Sequence, residues 1–358
     1  MELESPTTEP ASVNRLMDLV QSQHEALDAT VRRVPGRDGR GDHLVSRAPW
    51  GDDGPGILVL SHLDTVHPLD TLTGRLPFRV EGNGAWGPGI ADMKGGAYMG
   101  YNALRHFAAK GEETPLPLTF LYNSDEETGS RTSKELIEEE GRKNKYVLVT
   151  EPGRNGGSVV TARKGSGRIR IRITGRPSHS GSHHELGRSA LKELAHQILA
   201  LEAMTDYDRG ITVNVGIAGG GTRPNVVPGE AHAEVDMRAD SAGDADEMLT
   251  RILALKSVDP DVTVEVEGQI NRYPYRKSEG IEALYRHAVR LASEYDFPLP
   301  ETHTGGGSDG NFTAALGIPT LDALGADGEG GHTYDEHIYV DKLVPRQTLL
   351  VRLMQTLT

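Results

Sequence analysis

The sequence of 358 residues contains no cysteine, which excludes disulfide bonds, thiolate metal sites and cysteine nucleophiles. Any bound metal ion must therefore be held by histidine, aspartate and glutamate. The chain also has no run of 18 consecutive apolar residues, and residues 1–11 lack the basic start and apolar centre of a signal peptide. From these absences we expect a cytoplasmic protein that does not bind a membrane.

Positive charge is also scarce. The chain has 38 Lys and Arg against 52 Asp and Glu, which gives a formal net charge of −14. Nucleic-acid binding needs a positive surface that displaces counterions from phosphates, so we expect no nucleic-acid partner. Some of the excess carboxylates can bind cations, in which case the formal charge overstates the acidity of the metal-loaded protein.

Up to about residue 164, the sequence predicts alternating strands and helices. The apolar runs Ile57–Leu60, Leu118–Tyr122 and Tyr146–Val149 are typical of strands that are buried on both faces. The intervening stretches Met93–Ala109 and Ser133–Arg142 are compatible with helices. This alternation indicates an open α/β layer.

The pattern changes near Gly165, because Arg168–Ile173 alternates strictly and so predicts a strand with one wet face. The elements predicted next are a helix at Gly187–Met204, strands at Ile211–Ile217 and Ala231–Met237, a helix at Ala245–Lys256 and a strand at Val262–Val266. We therefore predict an α/β/α catalytic domain with a mixed, largely parallel sheet from residues 1–164 and 270–358. An α+β domain at residues 165–269 is inserted into it.

Polar residues follow each of the buried strands. His62 and Asp64 follow the first, Glu126 and Glu127 the second, and Glu151 the third. Each of these residues alone is most simply a solvated or core side chain. Together they lie where open α/β sheets place their sites, because parallel strands end at the same edge. With Asp92 after a glycine-rich turn and His332 far downstream, they form a ligand set suited to zinc.

Seven blocks carry a resemblance to a known family, and they occur in that family's order and at similar separations. They are Ser61–Asp64, Ala91–Gly96, Asp125–Gly129, Glu151–Pro152, Ser178–Gly181, Gly305–Asp309 and His332. Through them the chain resembles the zinc-dependent aminoacylase, carboxypeptidase and deacylase family of metallopeptidases, over almost its whole length after the first dozen residues. The blocks Gly175–Gly181 and Thr304–Asp309 are most similar to the glutamate carboxypeptidase branch.

The resemblance implies two zinc ions per chain, for which cobalt or manganese could substitute. Asp92 would bridge the two metals. His62 and Glu151 would complete one site, and Glu127 and His332 would complete the other.

The resemblance also assigns catalytic roles beside the metals. Asp64 would accept the second N–H of His62 and fix its tautomer, as carboxylates behind metal-bound histidines do. Glu126 would be the general base, taking a proton from the attacking water and later delivering it to the leaving amine.

In the inserted domain, the resemblance implies that His179 and Asn214 stabilise the oxyanion and that Arg238 binds the free carboxylate of the substrate. The planar guanidinium suits that task. An ion pair between Arg238 and Asp236 or Asp240 is the alternative.

We further predict that the inserted domain, residues 165–269, acts as a lid and mediates formation of a homodimer. Since His179 cannot belong to the parallel sheet, it can reach the metals only by closure of its own domain or from the partner chain. The family favours the second route, and the sequence leaves both open.

The glycines at 305–307 precede a predicted helix at Asp309–Leu316, so their amides could bind the substrate carboxylate, with Gly306 and Ser308 as binding residues. They lack a Gly-Lys-Ser/Thr ending and a Rossmann spacing, which argues against a nucleotide-dependent enzyme. The histidines predicted not to bind metal are His183, His184, His303 and His337.

These observations predict a metal-dependent hydrolase that cleaves an amide bond next to a C-terminal amino acid, like glutamate carboxypeptidase. Its substrate would be an N-acyl amino acid or a short peptide with a free carboxylate. An N-acyl-amino-acid deacylase and a catalytically inactive, metal- or peptide-binding relative are the alternatives. The presence of Glu126 argues against the inactive relative, because a binding module has no need of the base.

Overall fold

The computed structural model describes residues 2–358 and divides into two compact units. The first unit comprises the chain up to residue 162 together with residues 277–304 and 308–358. The second comprises residues 163–276 and 305–307. Within residues 2–358, no helix is long and apolar enough to span a membrane.

The helices, in chain order, are α1 Pro10–Glu25, α2 Gly95–Lys110, α3 Lys134–Arg142, α4 Ala190–Glu202, α5 Ala242–Leu253, α6 Glu279–Ser293, α7 Gly310–Ala315 and α8 Val340–Thr356. The first nine strands are β1 Thr30–Val34, β2 His43–Arg47, β3 Gly56–His62, β4 Arg79–Glu81, β5 Gly84–Trp86, β6 Leu118–Asn123, β7 Asn144–Val149, β8 Val159–Arg163 and β9 Gly165–Thr174. The remaining strands are β10 Ser178–His179, β11 Thr212–Gly220, β12 Val226–Val227, β13 Glu230–Ala239, β14 Thr263–Arg272, β15 Glu301–Thr304, β16 Thr320–Leu321, β17 Gly328–Glu329 and β18 His337–Tyr339.

The first unit is built on a six-stranded sheet with the order β1-β2-β6-β3-β7-β16. Strands β6, β3, β7 and β16 run parallel, and β1 and β2 add an antiparallel edge. Strands β3 and β6 are buried at every position, as their continuous apolar runs predict. One face packs against α1, α2, α6 and α8, and the other against α3 and α7. The predicted α/β class with a mixed, largely parallel sheet is confirmed.

The sheet order explains why the candidate residues meet. Strands β6, β3 and β7 are neighbours and parallel, so the loops that follow them leave the same edge side by side. His62 is the last residue of β3, Glu126 and Glu127 lie three and four residues beyond β6, and Glu151 lies two residues beyond β7. The carboxyl edge of the sheet therefore gathers the site.

The second unit holds an antiparallel sheet with the order β11-β13-β9-β14, and α4 and α5 pack on one of its faces. Burial alternates along β9, where the isoleucines face the helices and the arginines face outward, so the predicted half-exposed strand is confirmed. The exposed arginines of β9 lie opposite mostly acidic residues of both neighbouring strands. The pairs in register are Arg168 with Asp236 and Gln269, Arg170 with Glu234 and Glu267, and Arg172 with His232 and Glu265.

Two parts of the first unit differ from the prediction. Helix α1 and strands β1 and β2 precede the first strand that the sequence indicated. The two strands extend the sheet at one edge. The helix predicted at Asp309–Leu316 is the six-residue α7, which begins at Gly310 with Asp309 as its N-cap residue. A helix this short provides little of the dipole on which an anion site at its start would depend.

Candidate metal centre

His62 stands at the centre of the first cluster of predicted ligands. Its imidazole is 1% exposed, and Nε2 lies 3.0 Å from Oδ1 of Asp92 and 3.6 Å from Oε1 of Glu151. The other nitrogen, Nδ1, lies 3.0 Å from the backbone oxygen of Asp64 and 3.4 Å from its carboxylate Oδ1. Both Asp64 oxygens are acceptors, so Nδ1 carries a proton, and Nε2 is the ring atom that faces Asp92 and Glu151.

A second cluster lies on the other oxygen of Asp92. Nε2 of His332 is 3.4 Å from Asp92 Oδ2 and 3.1 Å from Glu127 Oε2. His332 adopts a left-handed φ of 65° in the turn that follows β17. The two oxygens of one carboxylate thus face two different histidine–glutamate pairs.

Asp64 organises the loop after β6. Its carboxylate is fully buried and accepts hydrogen bonds from the backbone N–H groups of Glu126 and Glu127 at 3.1 and 3.2 Å. The hydroxyl of Thr7 donates a third bond, at 2.7 Å. One carboxylate therefore positions the predicted base, one predicted ligand and, through its contacts with Nδ1, His62.

Burial and mutual repulsion shift the pKa values of this cluster. Burial, followed by the charge of Asp92, raises the pKa of Glu127 and raises that of Glu151 well above its usual range. Burial opposes ionisation of Asp92, but hydrogen bonds from His332 and His62 outweigh it and lower its pKa.

The imidazoles shift in the opposite direction. Burial lowers the pKa of His62, but the contacts with Asp64 and Asp92 prevail and raise it well above the ordinary value. Hydrogen bonds to Asp92 and Glu127 raise the pKa of His332 to about 10. The carboxylates of the cluster thus repel one another, and the two imidazoles are the groups that favour their ionised forms.

These residues suit a divalent cation. One ligand atom from each of His62, Asp92 and Glu127 lies within 4.8 Å of the others. Oε1 of Glu127 is buried without a hydrogen-bond partner, although a buried carboxylate oxygen normally has one. A cation would satisfy that oxygen and offset the repulsion between the carboxylates, and imidazole nitrogens and carboxylate oxygens are ligands that suit zinc.

Comparison with known proteins agrees with this chemistry. The sequence profile of peptidase family M20/M25/M40 matches residues 58–356. Carboxypeptidase G2 from Pseudomonas sp. (strain RS-16) is 34% identical over 312 residues, covering 86% of this chain and 74% of the relative. The chain belongs to peptidase family M20/M25/M40.

Further relatives agree with the assignment to family M20. The succinyl-diaminopimelate desuccinylase of Alkalilimnicola ehrlichii is 32% identical over 314 residues, covering 80% of each chain. A Staphylococcus aureus tripeptidase superposes with a TM-score of 0.83 at 20% identity, covering 99% of this chain and 94% of the other. An M20 metallo-carboxypeptidase from Sulfolobus solfataricus gives a TM-score of 0.78 at 18% identity, covering 99% and 98%. The chain is accordingly a metal-dependent amide hydrolase, as predicted.

Several residues that brace this M20 site were not identified from the sequence. Asp125 is buried and accepts bonds from the N–H and hydroxyl of Thr132 and from the hydroxyl of Ser133, which fixes the turn that carries Glu126 and Glu127. Asp309 likewise accepts a bond from Asn123 at 2.8 Å and another from Ser130. The only sequence signal was that both aspartates lie within blocks shared with the family.

His179 is exposed on the two-residue strand β10 of the second unit. Its Nδ1 accepts hydrogen bonds from the backbone N–H groups of Gly181 and Ser182, both at 3.1 Å. Because Nδ1 is an acceptor, the neutral ring carries its proton on Nε2. The turn thus presents an outward N–H donor, which is what the predicted oxyanion role requires.

Arg238 forms the ion pair with Asp236 that was the alternative to substrate binding. Its Nε and Nη2 donate to the two oxygens of Asp236 at 2.8 and 3.0 Å, and Nη1 donates to Gly305 O at 3.4 Å. Asn214 is exposed and lies opposite Asp236 in the β11–β13 pairing. The roles of Arg238 and Asn214 in substrate binding stay predictions.

The glycine loop contributes differently from its expected role. The carbonyl oxygen of Gly306 accepts a bond from Nη1 of the buried Arg163 at 2.9 Å. Ser308 is fully buried, and its hydroxyl donates to Asp322 Oδ2 at 2.5 Å. The Gly306 carbonyl and the Ser308 hydroxyl are thus engaged in contacts that hold the loop in place. Substrate binding by Gly306 and Ser308 stays a prediction.

Proposed function

We propose that this M20 hydrolase holds two zinc ions and removes the C-terminal amino acid from an N-acyl amino acid or a short peptide. The observation that carries the proposal is the arrangement around Asp92, whose two carboxylate oxygens face separate histidine–glutamate pairs. Oδ1 lies 3.0 Å from Nε2 of His62, and Oδ2 lies 3.4 Å from Nε2 of His332. A carboxylate in that arrangement is suited to bridging two cations. His62 and Glu151 would hold one metal, and Glu127 and His332 the other.

Bound zinc would supply Lewis-acid polarisation of the scissile carbonyl and acidification of a water molecule. The remaining work falls to the chain itself. Glu126 removes the proton of the attacking water and returns it to the leaving amine. Asp64 holds Glu126 through its backbone N–H, so the base and the ligand Glu127 move as one turn.

We further propose that the second unit contributes the groups that recognise the substrate. His179 donates its Nε2–H to the oxyanion, assisted by Asn214. Arg238 exchanges its bond to Asp236 for the free carboxylate of the substrate, which Gly306 and Ser308 help to bind. Support for His179 comes from its fixed Nδ1 acceptor geometry. Support for Arg238 comes from a guanidinium already arranged to bind a carboxylate with two parallel bonds.

In this proposal residues 165–269 also act as a lid and mediate formation of a homodimer, and His179 serves the metal centre of the partner chain. The basis is the exposed position of His179 on the second unit and the resemblance to the glutamate carboxypeptidase branch. Closure of a lid would exclude water and strengthen the oxyanion contact.

An N-acyl-amino-acid deacylase is the second candidate. It is favoured by the 32% identity to a succinyl-diaminopimelate desuccinylase, whose name describes removal of an acyl group from an amino acid. The two activities break the same kind of bond and differ in which side of it the enzyme recognises.

A substrate panel separates these candidates. Metal-loaded protein is incubated with the N-acetyl and N-succinyl derivatives of glutamate, aspartate, alanine, leucine and lysine, with dipeptides of the same C-terminal residues, and with the C-terminal amide of each. If the enzyme is a carboxypeptidase, rates rank by C-terminal residue, acidic residues lead, and the amides are poor substrates. Rates that rank by acyl group instead would favour the deacylase.

Metal content is measured on the same protein. We expect about two zinc equivalents per chain, loss of activity with a chelator, and recovery with zinc, cobalt or manganese. Full activity in the metal-free protein would refute the proposal.

A further inference from the structure

Glu336 approaches the Asp92 turn through strand pairing. Strand β18 is antiparallel to β5, with His337 opposite Trp86. Glu336, which precedes β18, therefore lies opposite Gly87, and the Gly87 N–H donates to the backbone oxygen of Glu336 at 3.3 Å. This register places the Glu336 side chain beside the turn that follows β5 and leads to Asp92.

The carboxylate of Glu336 collects four donors. Oε1 accepts the backbone N–H groups of Ala91 and Asp92 at 2.9 and 3.0 Å. Oε2 accepts the N–H of Gly89 at 2.9 Å and lies 2.6 Å from Nε2 of His67. The side chain is 1% exposed, so these contacts are shielded from water. Charge-assisted hydrogen bonds in such surroundings are strong.

The same short segment also carries His332, four residues before Glu336. His332 contacts the carboxylate of Asp92, and Glu336 contacts its backbone N–H. Asp92 is thus held at two points by one turn of chain. We propose that Glu336 is a positioning residue that fixes the backbone of Asp92 relative to His332, so that both Asp92 oxygens stay aimed at their histidines.

The physical reason lies in the backbone of the turn. Gly89 has a left-handed φ of 71°, and Asp92 departs from helical geometry with φ −115° and ψ 95°. The N–H groups of residues 89, 91 and 92 consequently point to one common acceptor. Without the carboxylate these buried donors would lose their partner, and the turn would rearrange to satisfy them. This inference rests on the proposed role of Asp92 as the metal bridge.

Glu336→Gln tests the proposal while preserving the size of the side chain. A glutamine has one acceptor oxygen and directs an amide NH₂ at donors that need an acceptor. We expect zinc affinity, measured by competition with a chromophoric chelator, to fall by roughly 10- to 100-fold, as for other residues that orient metal ligands. Asp335→Asn is the matched control, because it removes the same charge from the residue next to Glu336. Asp335 is exposed, and its carboxylate accepts a bond from Trp86 Nε1 at 3.3 Å rather than from the Asp92 turn.

His67→Ala provides a graded second variant, because it removes one of the four donors and leaves the three backbone bonds intact. We expect a smaller loss of zinc affinity, between those of Asp335→Asn and Glu336→Gln. If Glu336→Gln does not fold, His67→Ala decides the question alone, and unchanged zinc affinity in that variant overturns the proposal.

Thermal unfolding of the metal-free variants separates positioning from a merely structural role. A lower melting temperature of Glu336→Gln together with wild-type zinc affinity would mean that Glu336 only stabilises the fold, which contradicts positioning. Zinc binding is measured without substrate, so its outcome is distinct from that of the substrate panel. Weakened zinc binding in a protein that hydrolyses nothing would uphold the positioning role and refute the proposed function.

Discussion

The two units hold their candidate residues in different ways. In the first unit, His62 and Asp64 are 1% and 0% exposed, and they are tied to segments distant in sequence, including Thr7 and the turn after β6. In the second unit, His179 is exposed, and its imidazole accepts bonds from the amides of Gly181 and Ser182, two and three residues further along the chain. The two shortest bonds of the Arg238 guanidinium go to Asp236, two residues away, and a longer one goes to Gly305 O.

This difference shows how the parts of a site can depend on one another. Ionised groups buried together are costly unless something neutralises them, so the first cluster favours the binding of cations. The groups of the second unit keep contact with water and need no cation. We therefore expect loss of a predicted metal ligand in the first unit to alter metal content, and changes in the second unit to alter turnover alone.

The largest effect should come from Asp92→Ala. Because we assign both metals to this carboxylate, the variant should lose both together and fall to background activity. Metal analysis by mass spectrometry of the purified protein checks this, with His179→Ala as the control from the second unit. Full metal content in Asp92→Ala would mean that another residue bridges the metals.

Glu126→Gln should separate catalysis from metal binding inside the first unit. The amide keeps the shape of the side chain but cannot accept the proton, so turnover should fall by roughly 10²- to 10⁴-fold. Zinc content should stay at the wild-type value. Glu127→Gln is the matched control, since it should lose metal. The reverse result would exchange the roles assigned to these two glutamates.

His179→Ala should reduce turnover by about 10²- to 10³-fold, the usual cost of losing an oxyanion donor, with both metals retained. Mixed dimers sharpen the test. His179→Ala chains and Glu126→Gln chains, each inactive alone, are unfolded and refolded together. If His179 serves the partner's metal centre, hybrid dimers regain activity, because one of their two sites has both groups intact.

Failure to regain activity in purified hybrid dimers would mean that His179 acts within its own chain or has no catalytic part. Activity in a protein that sedimentation shows to be monomeric would rule out the partner route directly.

The smallest effect concerns acid stability, and it should distinguish the two units. His24 is fully buried in the first unit between Ser46 Oγ at 2.8 Å and Tyr122 OH at 3.0 Å, and burial lowers its pKa to about 4. The unfolded chain binds a proton below pH 6.5, whereas the folded chain resists it until about pH 4. Stability from this group is therefore complete above pH 6.5 and is lost as the pH falls through this window.

Between pH 7 and pH 5 the loss should be about 2 kcal/mol in the free energy of unfolding. Urea unfolding of wild type and His24→Gln at both pH values measures it, with the metals removed from both proteins so that their ligands do not mask the effect. The variant should show a shallower pH dependence, and an identical slope in both proteins would exclude His24 as the cause. Hydrogen exchange should locate the acid-induced loosening in the first unit.

The sequence was sufficient to predict that the candidate metal ligands meet at one edge of the sheet, because their placement depends on a local rule. Each apolar run predicts a buried strand, and parallel strands end at the same edge, which placed His62, Glu127 and Glu151 together. His332 lacked such a rule and was identified through the resemblance.

The residues that hold the site in place could not be predicted from the sequence, because no local rule connects them with the site. Thr7 bonds to Asp64 across 57 positions, and Glu336 bonds to Gly89 across 247. No periodicity or spacing links residues so far apart. The contact of the buried Ser308 hydroxyl with Asp322 was not foreseen either, since a serine beside a glycine loop suggests ligand binding, and that role stays a prediction.

The arginines of β9 have a consequence for how the chain reaches its fold. Side chains alternate along a strand, so a slip of one residue in pairing would turn Arg168, Arg170 and Arg172 toward α4 and α5 and the isoleucines toward water. A slip of two residues would restore the alternation but shift each arginine to a new pair of cross-strand partners. The alternation of isoleucine and arginine along β9 therefore disfavours every odd-numbered slip in register while the sheet assembles.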